Sequence, residues 1–398
     1  MVLFVSASSG FDLLYRMVFI LLAILAVAFL WAQLSLRGLS VTRKAHGTRS
    51  QVGKTLQENI SVTSHGFLPK PWVELRDRSD LPDHRVSAVV SLPGNANLNW
   101  AIKTRCRRRG RYRLGPLELA SGDPFGLFHK RLRVPETIPV LIYPQVIPLP
   151  DLNIPSGDLP GGTASRHRSY SATPSVSGVR EYVSGDSMSR IHWLSTARRR
   201  ELMVKEFERD PTSDVWIVLD MEARAQWGVG DDSTEEWAVK AAASLADHFL
   251  RQNRAVGVVI GGLSRLVLTS DRGTRQLVRI LEELAVAKAN GTVPVAEVLA
   301  AEGIRFSRGD TVLVVTPSLD ETWLKSAQLL LERGTRAVAV LVEPGTFGNP
   351  ESSVLLVGLL VASQVPTFLV KKGEPLEHCL AGDGLDLTSK QKFVAVTG

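Results

Sequence analysis

The chain has 398 residues, a formal charge of +7, 44% hydrophobic residues and 22% charged residues. That length exceeds one ordinary core and implies two or three domains, and the composition excludes a wholly disordered chain. Its two cysteines, Cys106 and Cys379, lie far apart with no CxxC or Cys/His spacing, which argues against a disulfide framework or a zinc site and suits a reducing compartment.

The first element is an uncharged apolar run over residues 17–36, after a short tail over 1–16. Twenty helical residues span about 30 Å, the thickness of a bilayer's hydrocarbon core, and Trp31 sits near one end, where an aromatic ring suits the interface. A cleaved signal peptide would carry its small-x-small site after the apolar run, whereas Ala26, Val27 and Ala28 lie inside it. Arg37, Arg43, Lys44, Arg49 and Lys54 follow the segment, and only Arg16 precedes it closely. This bias predicts an anchor in the cell membrane with the C-terminal bulk in the cytoplasm.

Residues 37–150 read as an all-β sandwich. Short apolar stretches at 58–62, 71–75, 85–92 and 139–143 alternate with turn residues such as Pro82, Asp83, Pro93 and Gly94. Within this region Lys103, Arg105, Arg107, Arg108, Arg109, Arg111 and Arg113 form a basic stretch without an acid. It is either a patch for lipid phosphate, nucleic acid or an acidic partner, or a pair of strands with basic outer faces around Gly110. Only Tyr112 is present to stack a base, so nucleic acid is not expected as a partner. Phe125, Leu127 and Phe128, after the Asp123-Pro124 turn, are expected to plug the sandwich.

Residues 151–177 belong to a stretch rich in Pro, Gly, Ser and Thr and read as a linker. Strands and helices then alternate: strands at 215–219, 255–260, 266–268, 311–315, 337–342 and 366–370, helices at 233–253, 274–289, 321–332 and 351–363. This alternation predicts an α/β, Rossmann-like domain over 178–398, with a mostly parallel sheet covered on both faces. The whole chain is thus α+β multidomain: transmembrane helix, β-sandwich, α/β domain.

The densest polar constellation precedes the strand at 215. Arg180, Glu181, Tyr182, Asp186, Arg190, His192, Trp193, Arg198, Lys205 and Glu206 fall within thirty residues. Glu181, Asp186, His192 and Glu206 have acid–base chemistry, and His192 and Ser195 share the spacing of one helical face. No nucleophile–base–orienter set closes, so these residues are expected to form a structural or partner-binding network. On this basis the chain is expected not to be an enzyme and to need no cofactor.

The spacing of Gly178, Arg180, Glu181, Tyr182, Gly185 and Asp186, then Arg190, His192 and Trp193, Ala197 and Arg198, and Val204, Lys205 and Glu206, resembles the signature of the DUF58 family. The runs 109–116, 123–128 and 140–144 are similar to that family too. The resemblance implies a bacterial or archaeal membrane protein with a C-terminal part like a von Willebrand factor A domain. It further implies genomic association with a MoxR-type AAA+ ATPase and transglutaminase-like membrane proteins. It implies no defined reaction; a scaffolding or chaperone-linked role at the envelope is the inference it carries. Two features depart from the pattern. Only one strong apolar span is present. Where cation-binding A domains carry Asp-x-Ser-x-Ser, this chain has Asp220, Met221, Glu222, Ala223 and Arg224. Asp220 and Glu222 are then a degenerate metal site, with Arg224 placing positive charge where a cation would sit.

The expected function is a membrane-anchored interaction module that contacts membrane lipid and partners a MoxR-type ATPase. The alternatives are a hydrolase-type enzyme using the Glu181 and His192 region, and anionic-lipid or nucleic-acid binding through the basic stretch.

Overall fold

The structure, a computed structural model, describes residues 12–154, 176–183, 191–199, 201–207, 213–382 and 384. The chain divides into two compact units, Met1–Gln145 with Leu281–Val286, and Val146–Ile280 with Ala287–Gly398.

The first unit begins with helix α1 (Asp12–Ser35). It is the one helix among the described residues long and apolar enough to cross a membrane. Most of its length carries exposed apolar side chains, among them Phe19, Leu22 and Leu30. Towards its C-terminal end Ala28, Ala32 and Leu36 recur every four residues and are buried, and the helix contacts β8 (Leu117–Gly122) and β9 (His129–Val134).

Ten strands follow in three small sheets. The first orders β1 (Leu39–Ala45), β3 (Thr55–Ser64) and β6 (Asn97–Arg105). The second orders β2 (Arg49–Gln51), β10 (Ile138–Tyr143) and β7 (Gly110–Leu114). The third orders β5 (Ser87–Leu92), β4 (Lys70–Asp77), β8 and β9. Alternation sets the buried face: in β3, Leu56, Glu58, Ile60, Val62 and Ser64 point inward. Ile60 and Val62 pack on Val73 and Leu75 of β4 and Leu119 of β8, so the first and third sheets close one core.

The expected plug is corrected. Phe125 and Leu127 face outward at 63% and 53% exposure, and the Phe128 ring meets Phe29 of α1 edge-on at 5.5 Å. The Asp123 carboxylate accepts the Phe125 and Phe128 amides at 2.8 and 2.6 Å, which turns the loop out of the sandwich.

The second unit holds a two-stranded ladder of β11 (Val176–Glu181) and β12 (Met203–Phe207), joined through a chain that includes α2 (Trp193–Arg199). Its main sheet is assembled from β13 (Val215–Asp220), β14 (Val256–Gly261), β15 (Arg265–Asp271), β16 (Thr311–Thr316), β17 (Arg336–Val342) and β18 (Thr367–Val370). The order is β15-β14-β13-β16-β17-β18, parallel except for β15. Both faces of β13, β14 and β16 are covered, and every residue in them is buried, which explains their continuous apolar runs.

Helix α3 (Thr234–Arg251), capped by the Ser233 side chain accepting the Glu236 amide, packs on one face of the sheet. The other face, bearing Trp216, Val218, Val312 and Val314, packs against α5 (Val295–Glu302), α6 (Thr322–Glu332) and α7 (Val354–Ala362). Gly257 is required where Trp216 lies over its backbone: a Cβ there would stand 2.6 Å from the indole ring. Helix α4 (Thr274–Val286) ends three residues before the sequence period suggests, and α5 is an element that period missed.

Candidate functional site

Inward alternation along β3 carries Glu58 into the core with Leu56 and Ile60. There it meets Arg43 of β1, Asp77 at the end of β4, His84 from the β4–β5 connection and Thr104 of β6. The His84 Nε2 stands 2.7 Å from Asp77 Oδ2 and 3.3 Å from Glu58 Oε1, and its Nδ1 lies 2.7 Å from the Thr104 hydroxyl. Arg43 Nη2 pairs closely with the same Asp77 oxygen, and its Nε is 3.1 Å from Glu58 Oε2. Ser79 donates to Asp77 Oδ1 from both hydroxyl and amide, at 2.7 and 3.1 Å.

The side chains of Asp77 and His84 are fully enclosed, and Glu58 is 1% exposed. Burial alone would push Asp77 up, but hydrogen bonds from His84 and Ser79 and the Arg43 guanidinium outweigh it and hold the carboxyl at about 2. Glu58 goes the other way. Burial raises its pKa against the pull of Arg43 and His84, with the Asp77 charge adding to the rise. Its two oxygens lie within ion-pair range of Arg43 and His84, yet neither makes an aligned hydrogen bond. Glu58 is therefore under-satisfied, as are the Nε and Nη1 of Arg43. Nitrogen and oxygen ligand atoms of Glu58, Asp77 and His84 all fall within 4.8 Å of one another, close enough to share one cation. An open cavity of about 460 Å³ borders the cluster, lined by Asp77, Ser79 and His84 together with Arg76, Arg78 and Arg85.

The second unit has its own buried carboxylate. Asp220 ends β13, accepts the Thr316 hydroxyl at 2.6 Å and the Glu222 amide at 2.9 Å, and is raised to about 6 by burial despite both bonds. In the same unit, the β11–β12 ladder pairs Gly178 with Glu206, Val179 with Lys205 and Arg180 with Val204. Two separate parts of the sequence signature thus become neighbours on adjacent strands.

Residues 178–345 match the DUF58 family model.

The matching family carries the description "protein of unknown function DUF58". The uncharacterized protein YeaD of Bacillus subtilis (strain 168) is 22% identical over 358 residues, covering 87% of this chain and 86% of its own length. Among solved structures, the CARDB domain of the PF1109 protein from Pyrococcus furiosus, in complex with di-metal ions, shares 16% identity over 26% of this chain and 91% of its own, with a TM-score of 0.21. The complex of zinc α2-glycoprotein and prolactin-inducible protein from human seminal plasma shares 7% identity over 26% of this chain and 92% of the matched chain, also at 0.21. These two overlaps span about a quarter of the chain, and the β-domain architecture rests on the strand pairing itself.

Within the matched region, His192 sits at the N-cap of α2. Its Nδ1 accepts the Ser195 amide at 3.2 Å and lies 2.7 Å from the Ser195 hydroxyl. The backbone donor fixes Nδ1 as an acceptor, so it receives the Ser195 hydroxyl as well as the amide, and the His192 side chain caps the first turn of α2. Glu181, Trp193 and Arg198 are exposed and Tyr182 half-buried. Arg180, Lys205 and Glu206 are placed by their backbone in the ladder, and Asp186 and Arg190 lie outside the described residues. Arg224 is exposed in the turn after Asp220, and the Thr316 hydroxyl and Glu222 amide take the carboxylate's oxygens.

In the β-domain, Lys103, Arg105, Arg107, Arg108, Arg111 and Arg113 are exposed along β6, β7 and their connection, Arg109 is buried, and Arg107 pairs with Asp83 at 2.9 Å. The expectation that the chain is not an enzyme is corrected by Glu58, Asp77 and His84, which gather a candidate metal-dependent centre that the sequence reading passed over. The signal was present in part: Glu58 occupies an inward position of the β3 alternation, where an acid needs a partner.

Proposed function

We propose that the chain is a membrane-tethered protein whose β-domain holds a divalent cation between Glu58, Asp77 and His84, giving it a hydrolase-type centre. The observation that carries this reading is Glu58, buried with both oxygens lacking an aligned hydrogen bond beside an imidazole and a second carboxylate. One imidazole nitrogen and two carboxylates suit Zn²⁺ or Mn²⁺. Such an ion lowers the pKa of a bound water and polarises an oxygen ligand. The arginine-lined cavity beside the cluster offers room for an anionic substrate such as a phosphate ester. Binding requires His84 Nε2 to present its lone pair and Arg43 to yield Asp77. Calorimetric titration of the chelator-treated chain with Zn²⁺ and Mn²⁺ is expected to give one site. Glu58→Gln weakens it by at least tenfold, as does His84→Ala. Equal affinity in the wild type and both variants removes the reading.

A second reading is favoured by exposed apolar groups beyond the carboxyl ends of β13 and β14. Trp227, Val229 and Leu263 lie there, Val229 at 90% exposure, on the rim where open α/β sheets bind ligands. The von Willebrand factor A resemblance and the envelope scaffold belong to this reading, with a MoxR-type AAA+ ATPase docking on that rim and a transglutaminase-like membrane protein in the same assembly. Anchorage by α1 in the cell membrane, with the bulk in the cytoplasm, places that rim where an ATPase works. Capture of the ATPase from native membranes should fall several-fold in Val229→Asp combined with Leu263→Glu. Undiminished capture by the double variant excludes the rim as the docking face.

A further inference from the structure

Two loops of the β-domain project apolar side chains beside the C-terminal end of α1. In the β3–β4 connection Phe67 is 83% exposed, and Leu68 and Pro69 border a small crevice with Trp31 and Leu34 of the helix. In the β8–β9 connection Phe125 and Leu127 point outward while Phe128 touches Phe29. Phe29 lies six residues before Ser35, about 9 Å along the axis from the helix end. A loop in contact with Phe29 therefore reaches back along the apolar part of the helix.

We propose that these loop tips enter the interfacial layer of the same bilayer that α1 crosses, so that the β-domain rests on lipid as well as hanging from its anchor. The inference rests on the anchor reading of α1. Three observations support lipid as the occupant. The exposed apolar tips are continuous with the helix surface they touch. The 123–128 loop bonds four of its own amides internally: Asp123 accepts the amides of Phe125 and Phe128 with its carboxylate and that of Gly126 with its carbonyl, and donates its own amide to the Phe128 carbonyl. Internal satisfaction is what a non-helical segment needs where water is scarce. Finally, two lysines border the loops and reach the C-terminal end of α1. Lys130 Nζ reaches the Gln33 carbonyl at 3.3 Å and its side-chain oxygen at 2.9 Å, and Lys70 Nζ lies 3.4 Å from the Leu34 carbonyl. These contacts serve the unpaired carbonyls and negative end of the helix, with lysine in its usual place at a membrane boundary.

The test uses the full chain with Cys379→Ser in vesicles of phosphatidylcholine and phosphatidylglycerol, leaving the buried Cys106 in place. Nitroxide labels are attached at Phe67→Cys and Leu127→Cys, with Ile24→Cys and Val229→Cys as mid-helix and aqueous references. Collision with dissolved oxygen is compared with collision with an aqueous nickel chelate. Labels at 67 and 127 are expected to favour oxygen over nickel severalfold relative to 229 and to approach 24. Nickel access equal to that at 229, with 24 still in lipid, overturns lipid contact while sparing the anchor. Shielding of 67 and 127 from both reagents assigns the tips to a protein partner and also overturns it. Nickel access at 24 removes the anchor, and the proposal with it.

Discussion

Asp220→Asn is expected to stabilise the α/β unit by about 3 kcal/mol at neutral pH. Asp220 is buried and its carboxyl is raised from 3.8 to about 6, chiefly by burial. Below about pH 3.8 folded and unfolded chains both carry the proton, and the group contributes nothing to pH dependence. Between about 3.8 and 6 the unfolded chain ionises while the folded chain keeps its proton, so stability falls as pH rises, and above 6 the loss is complete. Asparagine removes the charge and keeps the geometry. Its carbonyl accepts the Glu222 amide, and its NH₂ donates to the Thr316 hydroxyl oxygen, which also accepts the Ser318 amide, so the hydroxyl proton turns from Asp220 to another acceptor. Chemical denaturation of wild type and variant from pH 3.5 to 7.5 gives the difference directly. The two curves should meet at the acid end and separate through the window. Parallel curves, or a variant less stable at pH 7, would show that the ionised carboxylate is held by something its two visible bonds do not include.

The α/β unit was legible because its strands are buried on both faces. Val215, Trp216, Ile217, Val218 and Leu219 form an unbroken, largely β-branched apolar run, and its shortness favours a strand covered on both faces over a buried helix. The β-domain was legible only as strands. Its cluster joins positions 43, 58, 77, 84 and 104, which share no period and meet only when four strands and a connection fold together. Arg43 counts in the sequence as one of the basic residues that orient a membrane span, yet it is the counter-ion of two buried acids. Phe125 and Leu127 misled for a different reason. Apolar residues near a turn default to the core, and the helix that makes an outward position reasonable lies almost a hundred residues earlier in the sequence. In the 178–206 segment the residue types read as a structural or partner-binding network, with catalysis as the alternative, and the backbone places one part in a strand ladder and His192 at a helix start, neither of which spacing alone reveals.

Arg43→Met should cost the β-domain about 3–5 kcal/mol in the presence of chelator. The guanidinium is the positive charge between Glu58 and Asp77, and a thioether of similar length fills its space while leaving two carboxylates buried beside each other. Asp77 then loses part of what holds it at about 2. In the wild type its contribution is fully present above about pH 3.8 and disappears as the pH falls toward 2, and in the variant the same loss begins at higher pH. The thermal transition in detergent, with Trp72 and Trp100 reporting from β4 and β6, measures both effects. The same variant decides between a self-contained ion network and a cation site. If Glu58, Asp77 and His84 bind a divalent ion, removing the competing guanidinium makes the site more avid, and Zn²⁺ restores most of the lost stability. The double variant Arg43→Met, Glu58→Gln should not recover, because one of the three ligands is gone. Destabilisation without rescue would leave Arg43 as the only cation this cluster was built around, and a loss below about 1 kcal/mol, the scale of an exposed pair, would mean that the buried network contributes little to the fold.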